Sequence, residues 1–270
     1  MTRHARSWLF VPASRAHLFT KATASGADAV ILDLEDSVAS PDKAAARANV
    51  VAWLASGHAA WVRINGRESE FWLDDVRAIR AGGFDAPGLV LPMTDDPAQV
   101  ADTVDASGAE AVVVLIETAK GIETAGTIAA APKVVHLALG VADLQLDVGL
   151  GDDPAAWSYP RSKLVFASRA SGIAAPLDGP SMQLDRPDEV RKDANAARAH
   201  GFAGKLCIHP GQVGPVNDAF GYTERQRDWA RQVLAGAQDS AGAAVRVAGE
   251  MIDRPRLDLA HDILAHDLDD

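Results

Sequence analysis

The chain has 270 residues, of which 48% are hydrophobic and 23% charged, and its formal net charge is -11. This acidic balance argues against a general nucleic-acid or anionic-membrane partner, because phosphate groups attract a basic surface. The single cysteine, Cys207, excludes an intramolecular disulfide framework, and without a signal-peptide segment or an apolar run near about 18 residues we expect a soluble cytoplasmic protein.

Short apolar segments alternate with helical patterns along the chain, which is typical of β/α units. The apolar segments predict eight strands, at residues 8–12, 29–34, 61–64, 88–92, 112–116, 134–139, 173–176 and 206–209. Helices are predicted between them, at residues 41–55, 70–81, 97–106, 122–130, 161–171 and 187–199. Eight such units fit a closed TIM (β/α)8 barrel over residues 1–222. Residues 223–270 would then carry the last barrel helix, at 224–237, and a short C-terminal helical extension.

An open, doubly wound sheet would alternate in the same way. Its first β/α turn would be expected to carry a glycine-rich phosphate loop, but here that turn reads VPASRAH. Neither GxGxxG nor GxxxxGK followed by Ser or Thr occurs in the chain. The barrel is therefore favoured, and in a barrel the polar residues at the strand ends form the active-site face.

Two apolar runs in the middle of the chain end on a carboxylate. AVVVLIET surfaces at Glu117, and VVHLALGVADL ends at Asp143. If both are consecutive parallel strands, their ends lie one strand spacing apart, roughly 5 Å. Two carboxylates so placed would repel each other unless a cation or a proton lies between them, so the pair predicts a divalent-cation site.

The other predicted strand ends are polar as well, at Asp33, Glu35, Asp36, Arg63, Asn65 and His209. Each has a structural alternative, since strand-end polar residues often cap the next helix or bind loop backbone groups. For Arg63 the alternative is an ion pair with Glu35 or Asp36.

Seven motifs follow one another over almost the whole chain: RSWLFVPA at 6–13, ILDLEDSV at 31–38, VRIN at 62–65, LIET at 115–118, GVADL at 140–144, LCIHPGQV at 206–213 and GEMIDRP at 249–255. Together they resemble the citrate lyase β-subunit-like branch of the HpcH/HpaI aldolase superfamily, which includes malyl-CoA and citramalyl-CoA lyases. The resemblance implies a TIM barrel that holds Mg²⁺ and assembles into homo-oligomers, often trimers and otherwise hexamers. The implied chemistry is cleavage or formation of a carbon–carbon bond beside a carbonyl, on an acyl-CoA or keto-acid substrate.

The resemblance also implies roles for individual residues. Glu117 and Asp143 would bind the metal, and Glu117 would thereby line the substrate site. Arg63 would bind the carboxylate of the keto acid and stabilise the enolate. Asp253, in the MID motif of a C-terminal lid, would be the general base in a neighbouring subunit's site; its alternative is to cap the helix that follows.

An acyl-CoA would lie along the first strand and the helix after it, where the resemblance points to Phe10, His17 and Lys21. His209 precedes a proline, so its backbone is expected to be extended, and it would either contact substrate or make a structural hydrogen bond.

The chain departs from the family pattern after the fourth strand, where Met93 stands in the place of a common lysine. Three hypotheses follow. The first is a stand-alone Mg²⁺-dependent lyase or synthase acting on malyl-CoA, citramalyl-CoA or a related thioester, and Asp253 favours it. The second is the β subunit of a citrate lyase complex acting on a carrier-bound thioester. The third is a non-catalytic barrel that binds a metal and an acid, which Met93 favours.

Overall fold

The computed structural model describes residues 5–83, 88–151, 153–237, 245–247 and 250–265. Its centre is a closed barrel in which each parallel strand pairs with the next along the chain and the eighth pairs with the first. The strands are β1 (Ser7–Pro12), β2 (Ala29–Asp33), β3 (Trp61–Arg63), β4 (Leu89–Leu91), β5 (Val112–Ile116), β6 (Val134–Leu139), β7 (Leu177–Asp178) and β8 (Gly204–Cys207). The predicted TIM-barrel fold is confirmed.

Helices connect the strands: α1 (Phe19–Thr23), α2 (Lys43–Ala55), α3 (Trp72–Gly82), α4 (Pro97–Ser107), α5 (Ala119–Ala129), α6 (Val141–Val148), α7 (Ser158–Ala170), α8 (Pro187–His200) and α9 (Val213–Phe220). Their ends follow from local chemistry. In α4 the Asp96 side chain accepts from the backbone of Ala98 while Gln99 binds back to the cap, and Gly108, with φ 75°, ends the helix.

Alternation along each strand builds two apolar layers. One set of side chains, including Trp8, Ile31 and Leu206, fills the inside of the barrel. The alternate set, including Leu9 and Val30, packs against the surrounding helices. Because both faces of the strands are buried, the strand sequences read as continuous apolar runs.

The predicted seventh strand at 173–176 is wrong. The ladder with both neighbours begins at Leu177, which pairs with Ala138 and Gly204. Pro176 has no N–H to donate, and the Ile173 N–H bonds back to Ser168 at the end of α7. The strand instead includes a charged residue, Asp178, which is fully buried in ion pairs.

The eighth unit also differs from its prediction. Strand β8 lies two residues earlier than expected because it contains the buried Lys205. The helix that follows β8 is α9, which the sequence analysis missed. The helix at 224–237, expected to be the last barrel helix, has the predicted bounds but belongs to a separate compact unit.

The described residues from Gly221 onward form that second unit, and those up to Phe220 form the first. The second unit contains α10 (Glu224–Ala237), a two-stranded antiparallel sheet of β9 (Val245–Val247) and β10 (Glu250–Ile252), and α11 (Arg254–Ala265). A small core of its own joins Ala230 and Val233 to residues of β10 and α11. None of the helices in the described ranges is long and apolar enough to cross a membrane.

Candidate active site

Arg63, the last residue of β3, lies at the carboxyl end of the barrel within a set of acidic side chains. Its Nε and Nη2 each donate to a different oxygen of Asp33 at 2.7 Å. Its Nη1 lies 2.8 Å from Glu35 Oε2 and 3.6 Å from Asp36 Oδ2. Asp33 is the register partner of Arg63 on the neighbouring strand, so the fork is set by strand pairing.

The Arg63 guanidinium keeps donors for a further partner. It carries five N–H groups, of which two donate to Asp33. The contact with Glu35 Oε2 is an ion pair, and that oxygen accepts no hydrogen bond from the described residues. Both terminal nitrogens therefore keep N–H groups that could donate to a bound anion. The ring of Phe10 lies against the guanidinium at 4.6 Å, which fixes its plane.

Charge and burial set the pKa values of this cluster. Burial alone would raise the pKa of Asp33, but the charge and hydrogen bonds of Arg63 hold it below its usual range. Burial raises the pKa of Glu35 to about 8; the charge of Arg63 opposes the rise, and the neighbouring carboxylates of Asp36, Glu117 and Asp33 add to it.

Glu117 follows β5 directly and is almost completely buried. Its Oε1 accepts from the backbone N–H of Met93 at 2.6 Å. Burial raises the pKa of Glu117 to about 7; the Met93 N–H opposes the rise, and the charge of Asp143 adds to it. The carboxylate is thus held in position although its charge is poorly compensated by the protein.

Asp143 does not end a strand, so the predicted pair of strand ends is wrong in that detail. β6 ends at Leu139, Gly140 is the N-cap of α6, and Asp143 lies half-buried in the first turn of that helix. Packing explains why position 140 is a glycine, because a Cβ there would overlap the Cβ and Oε2 atoms of Glu117. Glu117 therefore lies across the backbone at the start of the helix that carries Asp143.

This donor set fits a hard divalent cation. Within the described residues, no group of three or more His, Cys, Asp or Glu side chains is arranged to hold a metal. Glu117 and Asp143 instead supply two carboxylates, which suits a cation that keeps water and substrate oxygens in its other positions. Burial, which raises the pKa of Glu117, and the added repulsion from Asp143 both disfavour its charged form, and a bound cation would offset both.

Met93 stands at the edge of the same site. Its backbone adopts the left-handed conformation, with φ 51°, which is rare for residues other than glycine. The N–H of Met93 is the group that binds Glu117. The Met93 residue surface is nearly half exposed. The strained backbone therefore lies at the residue that binds the Glu117 carboxylate.

The other residues predicted for the substrate lie on the surface near the strand ends. His17, in a 3-10 turn after β1, and Lys21, in α1, are exposed. His209 is exposed and extended, with φ -147° and ψ 140°, as the following proline led us to expect. Its Nδ1 accepts from the Gly211 N–H at 3.1 Å, so it makes the structural hydrogen bond that was one of its two alternatives.

Asp253 lies in the second unit and caps a helix. Its Oδ1 accepts from the Arg256 N–H at 3.2 Å at the start of α11, and the side chain is exposed. The capping alternative therefore applies, and it leaves the second carboxylate oxygen available. Gly249, part of the same motif, lies outside the described residues.

Sequence reasoning did not assign Asp33 a site role, nor did it select Lys43. Lys43 is buried and donates to Asn65, which is itself bound to Asp75. A lysine at a helix start gave no signal of burial. The charged first turn of α3 was likewise indistinguishable from an ordinary solvated helix start.

Comparison with known proteins adds an independent line of evidence. The sequence profile of the HpcH/HpaI aldolase/citrate lyase family matches residues 6–210. A citrate lyase subunit beta-like protein of Deinococcus radiodurans is 35% identical over 279 residues, covering 97% of this chain and 97% of that protein. An L-malyl-CoA/beta-methylmalyl-CoA lyase of Cereibacter sphaeroides is 34% identical, covering 88% and 85% of the two chains.

A solved structure is similar over the same length. The crystal structure of the protein CitE from Mycobacterium tuberculosis, in complex with magnesium, acetoacetate and coenzyme A, superposes with a TM-score of 0.83. It is 33% identical and covers 97% of this chain and 98% of its own. The similarity thus includes residues on both sides of Phe220.

Proposed function

Because this chain belongs to the HpcH/HpaI aldolase/citrate lyase family, we propose that it is a Mg²⁺-dependent carbon–carbon lyase that cleaves or forms a 3-hydroxyacyl-CoA such as malyl-CoA or citramalyl-CoA. The observation that carries the proposal is the buried carboxylate of Glu117, held by the Met93 N–H and repelled by Asp143, at the barrel end that also carries Arg63. This is a site for a cation and an acid together.

Glu117 and Asp143 would hold the metal through carboxylate oxygens. A bound Mg²⁺ supplies Lewis-acid polarisation of a carbonyl and orientation of a chelating 2-oxo acid, worth several kcal/mol of charge stabilisation. The N–H groups of Arg63 that do not donate to Asp33 would bind the carboxylate of that acid or the developing enolate. Asp33 and Glu35 would keep the guanidinium from turning away.

In the cleavage direction a base removes the proton of the 3-hydroxyl group. The bond between C2 and C3 breaks as the C3–O bond becomes a carbonyl, and the electron pair passes to the thioester as an enolate. Protonation of that enolate at carbon gives the shorter acyl-CoA. We assign the base to Asp253 of a neighbouring subunit, whose free carboxylate oxygen is compatible with the helix cap.

The coenzyme would lie over β1 and the residues after it, against Phe10, His17 and Lys21, and His209, which follows the neighbouring strand β8, would contact the substrate. His17 and Lys21 are exposed, as residues that meet phosphate groups must be. We further propose that the protein works in the cytoplasm as a homo-oligomer, a trimer or a hexamer, since a base supplied from a neighbour requires one.

A second candidate is the β subunit of a citrate lyase complex, which would act on a carrier-bound citryl thioester. The specific observation in its favour is that the matched Deinococcus radiodurans protein is named citrate lyase subunit beta-like. The match covers 97% of the length of that protein. Met93, in place of a positive charge at the metal side of the barrel, is compatible with a changed acyl group.

The test is cleavage of malyl-CoA and citramalyl-CoA with and without Mg²⁺, by the wild-type chain and by Glu117→Ala, Asp143→Ala and Asp253→Ala. Metal-dependent cleavage that the first two substitutions abolish would support the lyase. Inactivity on both thioesters, with Mg²⁺ still raising the melting temperature, would favour the carrier-bound substrate. Cleavage that is unaffected by removing Mg²⁺ would overturn the metal site.

A further inference from the structure

Lys43 is the centre of a buried polar network behind the acidic loop that follows β2. Only 7% of the surface of Lys43 is exposed. Its ammonium group donates to three oxygens. These are the backbone oxygens of Leu34 at 2.7 Å and Glu35 at 2.8 Å, and Asn65 Oδ1 at 2.7 Å. All three of its N–H groups are used, so Lys43 is fixed in place.

The network continues from Asn65 into α3. Asn65 Nδ2 donates to Asp75 Oδ2 at 2.6 Å and its backbone N–H donates to the same oxygen at 2.9 Å. The other oxygen of Asp75 accepts from Arg47 Nε of α2 at 2.8 Å. Asn65 and Asp75 are 3% and 1% exposed, so the connection from α2 to α3 is shielded from solvent. We call Lys43, Asn65 and Asp75 the Lys43 network.

The network fixes the backbone that carries Glu35. With both adjoining carbonyls bound to Lys43, the peptide units on either side of Glu35 have little freedom to rotate. The Glu35 N–H is also bound, to Asp33 Oδ1 at 2.9 Å. The Glu35 side chain then reaches Arg63 Nη1 at 2.8 Å. Among the described contacts, Lys43 makes no hydrogen bond or ion pair with Arg63, so any effect on Arg63 passes through the groups that Lys43 binds, which are the Leu34–Glu35 backbone and Asn65.

We propose that Lys43 is a positioning residue, which fixes the Leu34–Glu35 backbone and thereby holds Glu35 against Arg63 so that the guanidinium faces the anionic substrate. The inference rests on the proposed function, in which Arg63 binds the acid. A lysine suits this role because a compact ammonium group on a methylene stem meets three converging oxygens. Methionine would fill a similar volume but would remove the donor that Asn65 Oδ1 has in Lys43. The Leu34 and Glu35 carbonyls would keep only their other donors, Asn65 Nδ2 at 3.2 Å and the Val38 N–H at 3.0 Å.

The experiment compares Lys43→Met with Lys192→Met, an exposed lysine of α8 outside the site. We expect Lys43→Met to lower kcat/KM for metal-dependent thioester cleavage roughly 10- to 100-fold, at a temperature well below its Tm. The Mg²⁺-dependent rise in Tm should remain, since Glu117 and Asp143 are untouched. Lys192→Met should match the wild type both in kcat/KM and in the Mg²⁺-dependent rise in Tm.

A double-mutant cycle with Arg63→Lys separates positioning from a general loss of stability. If Lys43 acts through Arg63, the double variant should lose no more kcat/KM than Arg63→Lys alone. Losses that multiply would overturn the inference, as would Lys43→Met with wild-type kcat and KM.

Lys43→Gln, whose amide keeps two donors, replaces Lys43→Met in the same cycle if the latter does not fold. An inactive wild type would overturn the proposed function and this inference together, whereas an active wild type with an unaffected Lys43→Met overturns only the inference.

Discussion

At the scale of single residues, Glu117 is buried, its carboxylate is held in one orientation, and no protein cation balances its charge fully. Its Oε1 is held by Met93, and its pKa is raised to about 7 by burial, with Asp143 adding to the rise. A protein that keeps a buried carboxylate next to another carboxylate loses stability by doing so. That loss is offset when the carboxyl group is protonated or when a cation binds, so stability and metal binding should be linked at this residue.

The first prediction concerns Glu117→Gln, which keeps the shape and the oxygen that binds Met93 but removes the charge. We expect thioester cleavage to fall at least about 100-fold and the Mg²⁺-dependent rise in Tm to disappear. Without Mg²⁺ the Tm should equal or exceed that of the wild type, because a costly buried charge is gone. Thermal denaturation with and without Mg²⁺ measures both. Glu189→Gln, on the exposed side of α8, is the control; a retained Mg²⁺ response in Glu117→Gln would contradict the assignment.

The second prediction concerns Gly140→Ala. The added Cβ would overlap the Cβ and Oε2 atoms of Glu117. We therefore expect the carboxylate to be displaced and cleavage to fall by about 100-fold, the loss typical of a misplacement near 1 Å. Gly126→Ala, at a helical glycine with open space around its Cβ position, is the matched control and should stay active. Equal kinetics for the two variants would show that Glu117 tolerates the methyl group.

At the scale of elements, β7 and β8 are joined by a buried ion network. Asp178 accepts from Lys205 Nζ at 2.8 Å on β8 and from Arg161 Nε at 3.1 Å on α7. Asp178 and Lys205 are register partners, and both are buried. Burial alone would raise the pKa of Asp178, but the two cations hold it below its usual range.

The third prediction follows from that lowered pKa. A carboxyl group whose pKa is lower in the folded state stabilises the fold above the unfolded pKa and loses this contribution as the pH falls through the folded pKa. Asp178→Asn should cost about 3 kcal/mol of unfolding free energy at pH 7, since it leaves the buried Lys205 and the partly buried Arg161 without their carboxylate partner. The difference between wild type and variant should shrink as the pH falls below about 4.

Urea denaturation at pH 7 and at successively lower pH measures the effect of Asp178→Asn. The control is Asp188→Asn, whose ion pair with Arg191 is exposed and should be worth less than about 1 kcal/mol. A difference for Asp178→Asn that stays constant down to the lowest pH at which the fold persists would contradict the linkage.

The same elements show which parts of the fold the sequence could predict. β5 and β6 have the predicted bounds, because strands buried on both faces read as continuous apolar runs. β7 and β8 were misplaced because each contains a charged residue, and the pairing of Asp178 with Lys205 becomes evident only when the register of the two strands is known. The fork between Arg63 and Asp33 is a second register pair. Register couples positions 27 and 30 residues apart, which local patterns do not record.

At the scale of the whole molecule, the chain consists of a barrel unit and a second unit that carries Asp253. The sequence placed Glu117, Asp143 and Arg63 at one end of the barrel because strand ends converge there. No comparable rule relates residues of the second unit to the barrel. The structure of that unit explains Asp253 as a helix cap, and its proposed role as a base belongs to the assembled protein.

The last prediction separates these two roles of Asp253. Asparagine caps a helix as well as aspartate does, so Asp253→Asn should keep the wild-type Tm. If Asp253 is the base, cleavage should still fall by about 100-fold or more, the range that a positioned base contributes. An active Asp253→Asn variant would mean that the residue only caps α11.

Mixed oligomers then test whether the base comes from a neighbour. Asp253→Asn and Glu117→Gln are each expected to be inactive, but they damage different parts of a site shared between two subunits. When the two variants are unfolded together in equal amounts and refolded, random assembly into a closed ring gives about one quarter of the sites an intact Glu117 and an intact Asp253 from the next subunit. The mixture should recover about a quarter of the wild-type rate, whereas the variants refolded separately and then combined should stay inactive. If co-refolding yields no activity although wild-type chains recover theirs, each site takes both residues from one chain, because only a site built within a single chain is damaged in every subunit of the mixture.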